Sequence, residues 1–365
     1  MRYFSTLIKP AGALCNMNCC YCFYRELAQQ INKPNLIMSL DTTEHLIQNI
    51  LFNLTELTTV TFAFQGGEPT LAGIDYFKHF VDTVNIYKKD HHIIQYSIQT
   101  NGYTLNEEWF NFLKEYQFLV GVSLDGFPRI HNQLRKNSLK QDTYEIIIKN
   151  IRELKKRNIE FNILTVLTNQ LAKYPKEMFE FILKNEFKNI QFIPCLPELD
   201  QMKSAYSIQP KEFFQFYDVL FPMWFKEFKR GNVISISFFD QFVSAFAGIR
   251  PQGCGTLGNC TNQFVIESDG SIYPCDFYVL EKNKLGNIHE TDIKAAAYGE
   301  VARQFLAEPK NMSALCSTCR YQPLCKGQCK RQSICFYTDH YCAIQKFLSK
   351  YEKEFLQIAL RIKKR

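Results

Sequence analysis

"CNMNCCYC", residues 15–22, packs four cysteines into eight residues. It follows "YFSTLIKP" (3–10), whose β-branched and aromatic content reads as a strand. Cys15, Cys19 and Cys22 stand as C-x3-C-x2-C. A structural zinc site takes four protein ligands, and this loop offers three well-spaced ones, with the next cysteine far along the chain. Three thiolates on one tight loop suit a [4Fe-4S] cluster that keeps one iron without a protein ligand. An open metal position is where a substrate or cofactor binds. Cys20 adjoins Cys19, so its side chain should point elsewhere, and it reads as a small buried hydrophobe.

The chain holds 365 residues, 46% hydrophobic and 22% charged, enough to bury a sizeable core without disulfide staples. Lys9 and Pro10 interrupt the first apolar run before it reaches signal-peptide length, and no run is long enough to span a bilayer. The expectation is a cytoplasmic protein with no membrane association, whose thiols stay reduced. Fourteen cysteines there point to metal rather than to disulfides. The formal charge is +7, but the basic residues are scattered. The run Lys363, Lys364, Arg365 reads as a solvated tail, and no nucleic-acid partner is expected.

Five more strand-like stretches follow the first: 59–64, 92–99, 118–125, 160–168 and 189–194. Helical patterns separate them at 42–54, 74–88, 105–116, 141–157 and 175–186. This βαβα alternation predicts an α/β fold with a parallel sheet, a partial (β/α)6 barrel rather than a full eight-stranded one. A further aromatic-rich helix is expected over 210–230. Only Cys195 lies between Cys22 and Cys254, after which nine cysteines fall between 254 and 342. The expected domains are therefore 1–235 and a cysteine-rich 236–365.

The cysteine loop, with Tyr21 before its last cysteine, resembles that of the radical SAM enzymes. The resemblance implies that the open iron is chelated by the amino and carboxylate groups of S-adenosylmethionine. "FQGGEPT" (64–70), "QTNG" (99–102) and "VSLDG" (122–126) follow the second, third and fourth strands and are similar to elements of the same superfamily. Glycines at a strand end let backbone approach a ligand with no Cβ in the way. All these motifs fall at the carboxyl ends of predicted parallel strands, where such folds bind ligands. By resemblance the SAM site draws on Tyr21, Gly67, Ser123, Arg135 and Leu196. Arg135 is a plausible partner for the SAM carboxylate, against the plainer reading of a surface arginine at a helix end.

Cys254, Cys260 and Cys275 open the second group. Cys316, Cys319, Cys325 and Cys329 follow as C-x2-C-x5-C-x3-C, with Cys335 and Cys342 behind. Spacing alone leaves a pair of zinc sites open. Beside a radical SAM loop, the block resembles the SPASM domain, which carries two auxiliary [4Fe-4S] clusters. The resemblance implies that Cys254, Cys260, Cys275 and Cys329 hold one cluster, and Cys316, Cys319, Cys325 and Cys342 the other, with Cys335 a competitor for the last place. Such a crossover has a precedent in two-cluster ferredoxins. Three clusters on eleven thiolates bring the formal +7 to about +2.

"QFVIESDGSIYPCDFYVLEKNKLGNI" (263–288), "FAFQGGEPTLAG" (62–73), "LIKP", "FNIL" (161–164) and "IQFIPCL" (190–196) together resemble the anaerobic sulfatase-maturating enzymes. These oxidise one Cys or Ser of a sulfatase to Cα-formylglycine. The resemblance implies that a 5′-deoxyadenosyl radical takes hydrogen from the substrate Cβ and that Asp276 is the base for the thiol or hydroxyl proton. An extended 272–278 would turn Asp276 away from Cys275, and aromatic surroundings would raise its pKa. The plainer alternative is a solvent-facing Asp beside a metal ligand. Gln65 could face the peptide; the seven histidines and Cys195 read as packing or surface residues. The implied partners are an unfolded or nascent sulfatase and a low-potential donor of flavodoxin or ferredoxin type. The auxiliary clusters either accept the second electron or are structural. A maturase that crosslinks ribosomal peptides is the closest rival, though a first strand at residue 3 leaves no room for the recognition domain such enzymes usually carry. "LPELDQMKSAY" (196–206) matches no fixed motif of the family.

Overall fold

The computed structural model describes residues 2–24, 37–251 and 253–363, so the end of the basic tail, Lys364 and Arg365, lies outside the described residues. The chain forms two compact units. One comprises Met1–Ser123, Arg135–Phe161 and Thr261–Glu308, and the other Leu124–Leu134, Asn162–Cys260 and Pro309–Arg365.

The first unit is built on parallel strands β1 (Arg2–Ile8), β2 (Thr58–Phe64), β3 (His92–Thr100) and β4 (Leu119–Ser123), paired in chain order. Register aligns their carboxyl ends: Ile8 lies opposite Phe64, and Phe64 opposite Ile98. Crossover helices α1 (Leu40–Asn53) and α2 (Ile74–Tyr87) join the first three. Ser39 caps α1 by accepting a hydrogen bond from Thr42 N, and Leu46, Ile47, Ile50 and Leu51 bury one face at helical spacing. Phe62 and Phe64 meet Phe80 edge-on, and Phe64 also meets Phe77, so sheet and helix share an aromatic layer.

Three short strands extend this sheet beyond β1. β8 (Val265–Ile266) pairs parallel to β1, and β9 (Ser271–Tyr273) and β10 (Gly286–Asn287) follow antiparallel. Val265, Tyr273 and Val279 form a buried cluster against Leu7. Only 271–273 of the expected extended stretch is strand; Cys275 caps a 3-10 turn, Asp276–Tyr278, that Tyr278 N closes onto Cys275 O. Alternation along a strand therefore does not set the direction of Asp276.

The second unit holds β5 (Phe161–Leu167), β6 (Asn189–Pro194) and β7 (Ser235–Ile236), with β6 parallel to both. A 20-residue helix, Pro210–Lys229, opens on Pro210 and supplies the aromatic core. Phe221 packs at a tilt against Tyr351 and Phe355 of the C-terminal helix Ala343–Lys363, and Phe213 meets Phe336. The fold class is α/β, with parallel strands and helices alternating as the sequence pattern requires. Among the described residues no helix is long and apolar enough to cross a membrane.

Candidate functional site

The cysteine loop starts where β1 stops. It is fastened by main-chain bonds on two sides. Gly67 N donates to Gly12 O at 2.9 Å, and Glu68 N to Leu14 O at 2.7 Å. Asn18 N donates to Lys136 O at 2.7 Å, and Ser138 N to Asn16 O at 3.0 Å. A Cβ on Gly67 would stand 2.2 Å from Leu14 O, so the glycine is required by the approach of the cysteine loop itself. Cys19 is buried, whereas Cys20, read as a buried hydrophobe, is exposed. The chain turns between the two, so that the side chain next to the buried Cys19 goes to the surface rather than into the core.

Polar groups converge on this loop. Asn101 Nδ2 reaches Asn16 Oδ1 at 2.7 Å and Cys15 Sγ at 3.8 Å. Arg135 is 7% exposed, so it is not a surface helix-end arginine, and its Nη1 donates to Tyr21 Oη at 2.8 Å. Burial pushes the Cys15 thiol up; a hydrogen bond from Met17 N opposes this, Glu68 and Cys22 add to it, and Arg135 offsets part. Glu68 is wholly buried, accepting from Thr70 N and Oγ1, Thr100 Oγ1 and Asn101 N. It braces the loop after β3 against the one after β2. Ser123 ends β4, half-buried, and Leu196 lies half-buried in the second unit.

Asp276 sits at the ends of β1 and β2. Lys9 Nζ lies 2.8 Å from its Oδ1; Gln65 Nε2 donates to Oδ2 at 3.0 Å and Tyr24 Oη to Oδ2 at 2.5 Å. The β1–β8 pairing makes this possible. Lys9 N bonds Ile266 O, which sets Lys9 Nζ 2.7 Å from Glu267. The Lys9 side chain is 3% exposed and that of Asp276 13%, so the solvent-facing alternative does not hold. Burial alone would lower the Lys9 pKa, but the charges of Asp276 and Glu267 outweigh it and raise it above its usual value. Burial raises Tyr24, and Asp276 adds to it, so its hydroxyl stays a donor. The groups that touch the Asp276 carboxylate are an ammonium, an amide and the phenol of Tyr24, so aromatic surroundings are only part of its setting. Lys9, Tyr24 and Glu267 escaped the sequence reading because no local spacing joins residues 258 positions apart.

Seven of the nine later cysteines fall in two sets within the second unit. Cys316, Cys319, Cys325 and Cys342 line one cavity, with Tyr337 on its wall. Burial pushes Cys342 up to about 11, with Cys325 and Cys316 adding to it. Cys335 is elsewhere: it is wholly buried, its Sγ donates to Cys195 O at 3.8 Å, and burial pushes it up to about 12. In the other set, burial raises Cys260, and Cys329 and Cys254 reinforce it; a Cβ on Gly255 would stand 3.3 Å from Cys329 Cβ. Cys275 belongs to the first unit. Burial and mutual repulsion favour the protonated form of these thiols on their own, and a cationic core would be what takes them as thiolates.

Residues 11–182 match the Radical SAM superfamily model, and residues 254–320 match that of SPASM, an iron-sulfur cluster-binding domain. The chain is 40% identical over 334 residues to the cysteine-type anaerobic sulfatase-maturating enzyme of Clostridium novyi (strain NT), covering 91% of this chain and 89% of that one. It is 29% identical to the serine-type enzyme of Bacteroides thetaiotaomicron over 343 residues, 89% of this chain and 82% of that one. The solved structure of native anSMEcpe with bound AdoMet and Kp18Cys peptide matches with a TM-score of 0.90 and 34% identity, covering 98% of this chain and 99% of that one. Fold, cysteine loop and domain matches thus define a radical SAM enzyme with a SPASM domain. Within that class, the chain belongs to the anaerobic sulfatase-maturating enzymes.

Proposed function

We infer that this chain oxidises one residue of a sulfatase polypeptide to Cα-formylglycine, and that the residue is Cys by preference. The greater identity to cysteine-type than to serine-type relatives supports the preference. The cofactors are S-adenosylmethionine and three [4Fe-4S] clusters. When bound, SAM and its cluster supply the radical that removes a substrate Cβ hydrogen.

The chain's own residues carry the rest. Cys15, Cys19 and Cys22 hold the SAM cluster, and Tyr21, Gly67, Ser123, Arg135 and Leu196 hold SAM. The Arg135–Tyr21 pair supports an anion site there. Asp276 takes the substrate thiol or hydroxyl proton. The observation that carries this reading is a sheltered carboxylate whose Oδ1 is held by Lys9 while Oδ2 accepts from Tyr24 and Gln65. Cys254, Cys260, Cys275 and Cys329 serve one auxiliary cluster. Cys316, Cys319, Cys325 and Cys342 serve the other, and the shared cavity favours Cys342 over Cys335. Residues 1–235 are assigned to the radical SAM core and 236–365 to the SPASM domain, in keeping with the residues the two family models match. The substrate is an unfolded or nascent sulfatase met in the cytoplasm, and a low-potential flavodoxin or ferredoxin supplies the priming electron.

The test is anaerobically reconstituted protein with SAM, reductant and two peptides, one with Cys-x-Pro-x-Arg and one with Ser in place of Cys. The expected result is an aldehyde on the Cys peptide, formed faster than on the Ser peptide and in step with 5′-deoxyadenosine. Deoxyadenosine without an aldehyde overturns the assigned reaction. Equal or faster oxidation of the Ser peptide overturns the preference.

A further inference from the structure

The three residues after Cys325 take an unusual path to Cys329. Lys326, Gly327 and Gln328 are consecutive left-handed residues, with φ of 48°, 75° and 58°. Glycine is at ease there, but a lysine and a glutamine each pay about 1–2 kcal/mol. The turn is gripped from both sides. A Cβ on Gly327 would stand 2.3 Å from Met312 Sδ, and one on Gly258 would stand 2.1 Å from Lys326 Cβ. The third grip is Lys310, whose Nζ donates to Lys326 O at 2.6 Å and Gln328 O at 3.0 Å. These carbonyls belong to the segment that leads from Cys325, in the cavity set, to Cys329, in the other set.

The ammonium thus stands where the two cysteine sets are joined. Burial lowers its pKa, and the groups that oppose this are cysteines of both sets: Cys260 and Cys329 from one, Cys325 and Cys316 from the other.

We propose that Lys310 is a positioning residue for the auxiliary clusters: it clamps the left-handed 326–328 turn and places one positive charge within reach of both thiolate sets, raising both reduction potentials together. The physics is that net charge and hydrogen bonding around a cluster set its potential, and a nearby cation favours the more negative, reduced form. The proposal rests on the ligand assignment given above.

The experiment uses a Cys15→Ala/Cys19→Ala/Cys22→Ala background, so that only auxiliary clusters remain, with Lys310 intact or changed to Met, Gln or Arg. Iron and sulfide are counted first. A background protein without two clusters' worth of iron overturns the ligand assignment, whatever Lys310 does. With both clusters loaded, redox titration followed by electron paramagnetic resonance reads the midpoints. Lys310→Met and Lys310→Gln should shift both midpoints to more negative values, while Lys310→Arg stays near the unmodified protein. Unchanged midpoints, or a shift of one cluster alone, overturn the proposal. Gln keeps a donor for the two carbonyls without the charge. If Met and Gln both fail to load iron and Arg loads it, the charge serves assembly rather than the potentials, and the proposal is overturned. Failure of all three overturns it in favour of shape alone.

Discussion

The loop at 15–22 and the block at 316–342 both gather thiols, but they hold them differently. The first hangs its three spaced cysteines on a loop whose main chain is tied to the segments after β2 and before residue 139, with Arg135, Tyr21, Asn101 and Glu68 close by. The second lines one cavity with four cysteines, and its wall is formed by Tyr337, Ile344 and Leu315. Three donors amid polar side chains leave a coordination position and the means to orient what fills it. Four donors in such a recess would give each iron of a cluster its own protein ligand and shut an outside ligand out. One arrangement suits chemistry at the metal, the other electron storage or support.

The sharpest break between the two regions should come from removing single thiols. Cys15→Ala should abolish SAM cleavage while the auxiliary iron stays; Cys316→Ala should lose auxiliary iron. Chromatography of 5′-deoxyadenosine and iron per chain read the two outcomes, and a Cys316→Ala protein with full iron would dissolve the contrast. Next in size is Asp276→Asn. Peptide oxidation should fall by roughly 10²–10⁴-fold, the usual worth of a general base, while deoxyadenosine still forms. Mass spectrometry and the nucleoside assay must then part company; a parallel loss of both would move Asp276 from proton transfer to cofactor binding.

Gly67→Ala sharpens the claim that the first loop depends on close backbone approach. With a contact of 2.2 Å to Leu14 O, it should cost about 1–3 kcal/mol, the range for overpacking. Gly73, with nothing within 4 Å but φ 88° and ψ 153°, should cost a comparable amount on change to Ala through backbone strain alone, and thermal melts compare the two. The smallest effect is expected from Cys335→Ala, which should keep all its iron and lose about 1 kcal/mol of stability. Cys342→Ala should lose a cluster's worth of iron, and a reversal of that pair would exchange their roles.

Much of the parallel sheet was legible, because β1 to β6 are five to nine residues long and carry β-branched or aromatic side chains between helical patterns. β8, β9 and β10 were not, because strands of two or three residues are too short to show a period. The cysteines declared themselves by spacing, but the surroundings of Asp276 did not. Lys9 reads as the end of an apolar run, and only the pairing of Ile8 with Ile266 gives it Glu267 and Asp276 as neighbours. The glycines of "GGEP" were legible as a close approach, but not that the nearest atoms are those of the cysteine loop.

The pairing of β8 with β1 also carries a consequence for synthesis on the ribosome. The strand that begins the sheet has its second neighbour 258 positions later, as the bond from Thr6 Oγ1 to Phe264 O records. At a translation rate of roughly 5–20 residues per second, β1 waits tens of seconds with one edge unpaired. An open edge is a template for pairing with the wrong chain. The exposed Arg2 at the start of β1 makes that edge less adhesive while the carboxylate-bearing segment is still to come.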